Sequence, residues 1–336
     1  MLANLEKRAP FVFNRDMPFA PSIAQIRDAQ QWLGAHLPKT RLLHAPGISL
    51  PAAAVHLKLE IELPTGSFKP RGALFALDRN LRQGSIREVT ACSTGNHGAA
   101  VAWAAKMLGI RATVFLPANP NPVKRKNIAA LGARIVEAGG GDLAHAFEHA
   151  QEYSSRPGIY FLNDASDPDL PAGTATIGLE TLEQLPGTRA IYVPMGDTAL
   201  IRGVAAAVKQ LDPSVRIIGV QAERAPSYYL SWKAARPVPT DTCDTCADGL
   251  ATRTPEPRNV RTICELVDDV VLVSEDEMID AIRLLYQRER VIAEPAGAAT
   301  TAAFLKQPSA AGPVALLVTG ANLSDDVRAR AGLPGS

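Results

Sequence analysis

Lys69 stands in the run Pro64-Thr65-Gly66-Ser67-Phe68-Lys69-Pro70-Arg71-Gly72-Ala73. A small polar loop precedes it and a proline follows. Proline suits the first turn of a helix, where its missing N–H is not needed, and it pushes the preceding residue out of the α region. Lys69 is therefore expected to mark a helix boundary. Ala73, Leu74, Leu77 and Leu81 then recur at helical spacing. An ammonium facing the positive end of a helix dipole is disfavoured relative to the neutral amine. A neutral lysine amine is a nucleophile that forms Schiff bases with aldehydes. Taken alone, Lys69 is equally a solvated lysine at the start of a surface helix.

Four further loops carry residues able to bind charge. Ser93-Thr94-Gly95-Asn96-His97-Gly98 follows an apolar segment and opens a helical pattern. Its glycines and hydroxyls suit backbone binding of an anion such as a carboxylate, or an ordinary cap by Ser93, Thr94 or Asn96. Pro194-Met195-Gly196-Asp197-Thr198-Ala199-Leu200 also leads into a helical pattern and fits a phosphate cradle. Gly196 is its only glycine, and Asp197 places an acid near where a dianion would sit. It is neither a Walker A loop nor a G-x-G-x-x-G motif. Glu294 precedes Pro295 and a run of small residues, so it reads as an acid at a helix start. Thr319, in Thr319-Gly320-Ala321-Asn322, closes an apolar strand where a hydroxyl can meet a ring nitrogen; a simple turn is the other reading.

The elements that must position these loops alternate. Strands are expected at Val55–Leu59, Val89–Ser93, Ala112–Leu116, Arg134–Glu137, Ala190–Pro194, Arg216–Gln221, Asp269–Val273 and Val314–Thr319. Helices are expected at Asn96–Leu108, Val123–Leu131, Leu143–Ser154, Ala172–Gln184, Leu200–Leu211, Glu275–Arg288 and Pro295–Leu305. Such alternation predicts an α/β fold with parallel sheets, whose ligands bind at the carboxyl ends of strands. A smaller unit over 88–165 is expected between the two parts of a larger one, 1–87 and 166–336. Residues 1–21 read as an extended arm and 235–260 as a long loop.

The 336 residues suit two domains or one large α/β unit. Lys and Arg number 35 against 34 Asp and Glu, and no basic run appears, so nucleic acid and anionic membranes are not expected partners. Charges at Glu6, Lys7, Arg8, Arg15 and Asp16 break any secretory leader, and no apolar stretch reaches about 20 residues, so a cytoplasmic protein is expected. Cys243-Asp-Thr-Cys246 has no second pair to close a zinc site, and the four cysteines read as reduced thiols.

In order and separation, these segments resemble the fold-type II pyridoxal phosphate enzymes, in particular the serine/threonine dehydratases. The matching pieces are T-G-S-F-K-P-R-G-A (65–73), S-T-G-N-H-G (93–98), G-T-A-T-I-G-L-E (173–180), E-P-A-G-A (294–298) and the closing Thr319–Asn322. The resemblance covers about residues 22–330. It implies a tryptophan synthase beta-like fold of two open, twisted, mostly parallel sheets with flanking helices, and pyridoxal 5'-phosphate in the cleft between domains. Lys69 would hold the cofactor as a Schiff base and act as the base at the substrate Cα. Phe68, Asn96, Glu294 and Thr319 would contact the cofactor, Asn96 at its 3-oxygen and Thr319 at its pyridine nitrogen. A hydroxyl at that nitrogen suits β-elimination better than transamination.

Gly196, Asp197, Thr198, Ala199 and Leu200 would take the phosphate, and Ser93, Thr94, Gly95, Asn96 and His97 the substrate carboxylate. Related racemases use a serine at the position of Thr94 as an acid/base on the opposite face, so Thr94 is a catalytic candidate. The phosphate loop departs from the family's four glycines, and Gly173-Thr174-Ala175-Thr176 replaces G-Q-G-T. Gln221 and Ser227 stand where some relatives have cation-binding acids, so no metal is expected. The resemblance further implies an amino-acid substrate and a homodimer.

The expected activity is loss of the β-hydroxyl from a 3-hydroxy-2-amino acid, giving a 2-oxo acid and ammonia. A β-replacement synthase, a racemase, or a cofactor-binding protein without turnover are the alternatives.

Overall fold

The computed structural model describes residues 20–334, apart from Ser85, Thr94, Asn119, Asn121, 139–142 and 309–310. Residues 1–19 of the expected arm over 1–21, and the candidate Thr94, therefore lie outside the described residues.

Ten strands are described: β1 Leu42–His44, β2 Val55–Leu59, β3 Glu88–Cys92, β4 Arg111–Leu116, β5 Arg134–Glu137, β6 Ile159–Phe161, β7 Ala190–Pro194, β8 Arg216–Ala222, β9 Asp269–Val273 and β10 Val314–Val318. The helices are α1 Ile23–Leu33, α2 Lys69–Gln83, α3 Asn96–Leu108, α4 Pro122–Ala130, α5 Leu143–Ser154, α6 Leu170–Gln184, α7 Ala199–Leu211, α8 Ser227–Ala234, α9 Pro257–Leu266, α10 Glu275–Glu289, α11 Pro295–Lys306 and α12 Asp325–Arg330.

The strands form two open sheets, as the alternating pattern predicts. One has the order β1-β2-β10-β7-β8-β9 and the other β5-β4-β3-β6. Every pairing is parallel except that of β1 on the edge of the larger sheet. Central strands β7 and β10 are buried along their whole length, which matches their unbroken apolar sequence. The smaller sheet is built from residues 88–161.

Helix α2 belongs to the interior. Leu74 and Leu77 share one apolar cluster with Val89 of β3, Ala100 of α3 and Leu116 of β4. Its other side meets α6 so closely that a Cβ at Gly173 would come within 2.3 Å of the Arg71 carbonyl oxygen. That contact explains the small residues of the 173–176 segment: two helix backbones touch there.

Local differences from expectation have physical causes. Lys69 is the boundary residue expected, the first of α2, but the proline does not push it out of the helix; Phe68 takes the N-cap position in a helical conformation and Pro70 sits in the first turn. The N-cap of α3 is Gly95, which has no side chain to cap the helix. The segment 235–260 is not all loop, since a 3-10 turn over Asp248–Leu250 and the start of α9 fall within it. Among the described residues, no helix is long and apolar enough to cross a membrane.

Candidate active site

The carboxyl ends of β2, β10 and β7 in the larger sheet and of β3 and β6 in the smaller one feed the loops that converge on Lys69. The chain leaves β2 through Glu60–Phe68, and Gly66 turns with φ of 66°. It then meets the end of β10: Phe68 N–H donates to the Thr319 carbonyl at 3.0 Å, and Ser67 bridges Gly320. Lys69 and Thr319 thus belong to one backbone junction.

Beneath it, Arg71 is 2% exposed and forks between two carboxylates. Its Nε lies 2.7 Å from Glu60, and its Nη1 lies 2.7 Å from Glu180. Fully buried Lys58 also reaches Glu180 at 2.7 Å, so two cations and two acids balance. Burial works against the Arg71 charge, but Glu60 and Glu180 outweigh it and raise its pKa. This network anchors the first turn of α2, and with it Lys69.

The Lys69 side chain is 21% exposed, and its Nζ donates to Asp164 Oδ2 at 2.6 Å. Asp164 follows β6 and was not singled out by its sequence. His97 Nδ1 lies 3.7 Å from the same oxygen, while its Nε2–H donates to the Leu162 carbonyl at 2.8 Å. Burial favours the uncharged His97 ring. Burial also works to raise Asp164, but His97 and the Lys69 ammonium outweigh it and hold the carboxyl well below the usual carboxylate range. Burial and the nearby Asp164 push the Cys92 thiol up to about 12.

Asn96 lies in the first turn of α3. Its Nδ2 donates to Glu294 Oε1 at 2.7 Å, and its Oδ1 accepts from Asn322 Nδ2 at 2.6 Å. Asn322 also donates to the Thr65 carbonyl at 2.9 Å. Three segments far apart in sequence (Asn96, Glu294 and Thr319–Asn322) therefore meet the loop before Lys69. A Cβ built at Gly95 would meet no heavy atom of the described residues within 4 Å, so there is room beside that position. Ser93 Oγ accepts from Gly95 N–H at 3.2 Å.

The loop after β7 is built differently. Thr198 has φ of 70°, a conformation unusual for a β-branched residue, and it caps α7. Asp197 Oδ1 accepts from the Thr252 hydroxyl at 3.1 Å. Burial first, and Asp164 second, push Asp197 up to about 6. Arg202, 3% exposed in the first turn of α7, donates through Nε to Thr198 Oγ1 at 3.3 Å. Burial lowers its pKa to about 10, so it remains a cation at neutral pH. Asn259 braces the loop, with Nδ2 bonds to the carbonyls of Asp197 at 3.3 Å and Ala165 at 2.9 Å.

These donors fit pyridoxal phosphate. A partly exposed primary amine stands where loops from both sheets meet, and a helix N-terminus with a cation in its first turn offers N–H groups to a phosphate. The one acid in that loop is bonded to Thr252. Where some relatives have a cation-binding acid, Gln221 instead accepts the Tyr229 N–H at 2.9 Å. No group of three or more His, Cys, Asp or Glu side chains able to hold a metal forms among the described residues.

Residues 34–320 match the family of pyridoxal-phosphate dependent enzymes. The chain is 35% identical to an L-threonine ammonia-lyase of Thermotoga maritima over 304 residues, covering 90% of this chain and 76% of that protein. It is 36% identical to a phenylserine dehydratase of Ralstonia pickettii over 279 residues, covering 81% and 84%. The structure of maize serine racemase superposes with a TM-score of 0.87 at 28% identity, covering 94% of this chain and 97% of that one.

Proposed function

The chain belongs to the pyridoxal-phosphate-dependent enzymes, in the serine/threonine dehydratase branch, and from that premise we propose which residues carry each part of the reaction. The enzyme is an ammonia-releasing dehydratase of β-hydroxy-α-amino acids, and its cofactor is pyridoxal 5'-phosphate. Lys69 would hold the cofactor through Nζ. The loop Gly196–Leu200, with Arg202 behind it, would take the phosphate. Thr319, Asn96, Phe68 and Glu294 would surround the ring. Bound there, pyridoxal phosphate supplies an electron sink that acidifies the substrate Cα–H.

The remaining work falls to the chain. The loop Ser93–His97 and the N-terminus of α3 bind the substrate carboxylate. That contact fixes the amino acid with its Cα toward Lys69. Lys69 Nζ removes the Cα proton, and the electron pair left on carbon forms the Cα–Cβ double bond as the β-hydroxyl leaves. Once released, the enamine product tautomerises and hydrolyses to a 2-oxo acid and ammonia. The segment 88–165 is proposed as the lobe that closes over the substrate and excludes water.

The observation that carries this reading is the Lys69 amine at the meeting point of β2, β10, β6 and α3. The test is 2-oxo acid release across β-hydroxy amino acids of both configurations, including serine, threonine, 3-hydroxyaspartate and phenylserine. Wild-type enzyme should turn over at least one. Lys69→Ala should lose at least about 1,000-fold in kcat, in keeping with removal of both the anchor and the base. Retained turnover in Lys69→Ala would rule out Lys69 as base. D-isomer formation at a rate matching elimination would favour a racemase.

A further inference from the structure

We propose that Asp164 is a positioning residue for Lys69: its carboxylate receives the ammonium created when Lys69 takes the substrate Cα proton. The inference rests on the reading of Lys69 as the base. Asp164 comes from the loop after β6, on the smaller sheet, and Lys69 from α2; the two meet at 2.6 Å although 95 residues apart. In the proton transfer the Cα–H bond breaks, an N–H bond forms at Nζ, and the electron pair stays with carbon. A neutral amine thereby becomes a cation beside a carboxylate already within hydrogen-bond reach, the arrangement that strengthens such a bond most.

The surrounding groups leave this task to Asp164. His97, on α3, donates its Nε2–H to Leu162, so its ring is held with Nδ1 toward Asp164. Cys92, at the end of β3, stays a thiol. Asp197 is bonded to Thr252. Beside His97 and the Lys69 ammonium the Asp164 carboxyl is held below the usual carboxylate range, so toward Nζ it accepts rather than donates.

The same contact has an opposite effect on an earlier event. In the cofactor-free protein the 2.6 Å contact with Asp164 engages Nζ, which must leave that carboxylate to reach the cofactor's aldehyde. Removing the carboxylate should therefore speed loading and slow proton abstraction, whereas a scaffold residue would slow both.

The experiment uses Asp164→Asn in the full-length protein. One arm follows the absorbance rise when pyridoxal phosphate is added to cofactor-free enzyme at neutral pH; the other follows elimination of the best hydroxy amino acid and of its Cα-deuterated form. Loading should be about threefold faster or more, and kcat should fall about 10- to 100-fold, the range for losing a hydrogen bond to a charged group. The isotope effect on kcat/KM should rise, because the Cα proton step becomes more limiting. Asp164→Ala with added formate should recover part of the lost rate, which covers the case in which the asparagine variant folds poorly.

Loading and turnover that fall together would overturn the proposal. So would turnover within twofold of wild type, a lost rate accompanied by an isotope effect that drops toward unity, or no recovery with formate. Failure of the underlying reading shows elsewhere, as turnover by Lys69→Ala.

Discussion

At the lysine end of the cleft, ionised side chains meet in pairs: Lys69 with Asp164, and Arg71 with Glu60 and Glu180. At the proposed phosphate end, the loop after β7, one acid is pushed up to about 6, one arginine is buried against a hydroxyl, and a threonine holds a left-handed turn. The lysine end is organised by charge compensation between elements remote in sequence. The phosphate end is organised by backbone shape and local bracing. Damage to the first should spread through the fold, while damage to the second should stay local and depend on pH.

The largest effect is expected from Arg71→Met. It strands Glu60, which is fully buried, and leaves Glu180 with Lys58 alone. Breaking a buried ion network by removing one partner costs about 3–5 kcal/mol. Urea unfolding of the cofactor-free protein should show that loss, with much of the cofactor binding lost at 37 °C. A cost below about 1 kcal/mol would mean that the lysine end does not depend on the network.

Asp197→Asn tests the phosphate end and has a definite sign. Asp197 titrates near 6 in the folded chain against an ordinary value of 3.8. The folded state thus binds the proton more tightly than the unfolded state. Its contribution to stability is complete below about pH 4 and disappears as the pH rises through about 6. Above that, the ionised carboxylate costs about 1–2 kcal/mol, a figure reduced for its partial exposure. Asp164 slopes the other way below pH 4 and is shared by both proteins. Asp197→Asn should therefore melt higher than wild type at pH 7 and no higher at pH 4. A gap that is constant with pH would show that Asp197 is not held in an unfavourable charged state.

The two ends also differed in how far sequence alone revealed them. The strands at 55–59, 134–137, 190–194 and 269–273 were legible to the residue, because apolar β-branched runs bounded by polar turns leave little choice. Lys69 was legible because its neighbours are distinctive. Asp164 was not, since Asn163-Asp164-Ala165-Ser166 looks like any polar turn and β6 before it is only three residues long. Had β6 been recognised, the rule that ligands gather at strand carboxyl ends would have pointed to Asp164. The contact with Lys69 depends on how the two sheets are apposed, which no local pattern encodes. Helices α1, α8 and α9 went unnoticed for a related reason: their apolar residues are fixed by packing partners far along the chain.

The smallest effect separates shape from hydrogen bonding at the phosphate end. Thr198 is 3% exposed and combines a left-handed backbone with a hydroxyl that accepts from Arg202. The left-handed conformation costs a non-glycine residue about 1–2 kcal/mol, and glycine escapes that cost while giving back about 0.5–1 kcal/mol of unfolded-chain entropy. Alanine keeps most of the strain and loses the hydroxyl. If backbone shape governs this loop, Thr198→Gly, which also loses the hydroxyl, should stay within about 0.5 kcal/mol of wild type, and Thr198→Ala should fall below it by about 0.5–1 kcal/mol. Denaturant melts of the cofactor-free proteins resolve that order. A glycine variant weaker than the alanine one would make the conformation of Thr198 unimportant and the entropy of the loop decisive. The contrast with the charge-paired lysine end would then rest on Asp197 alone.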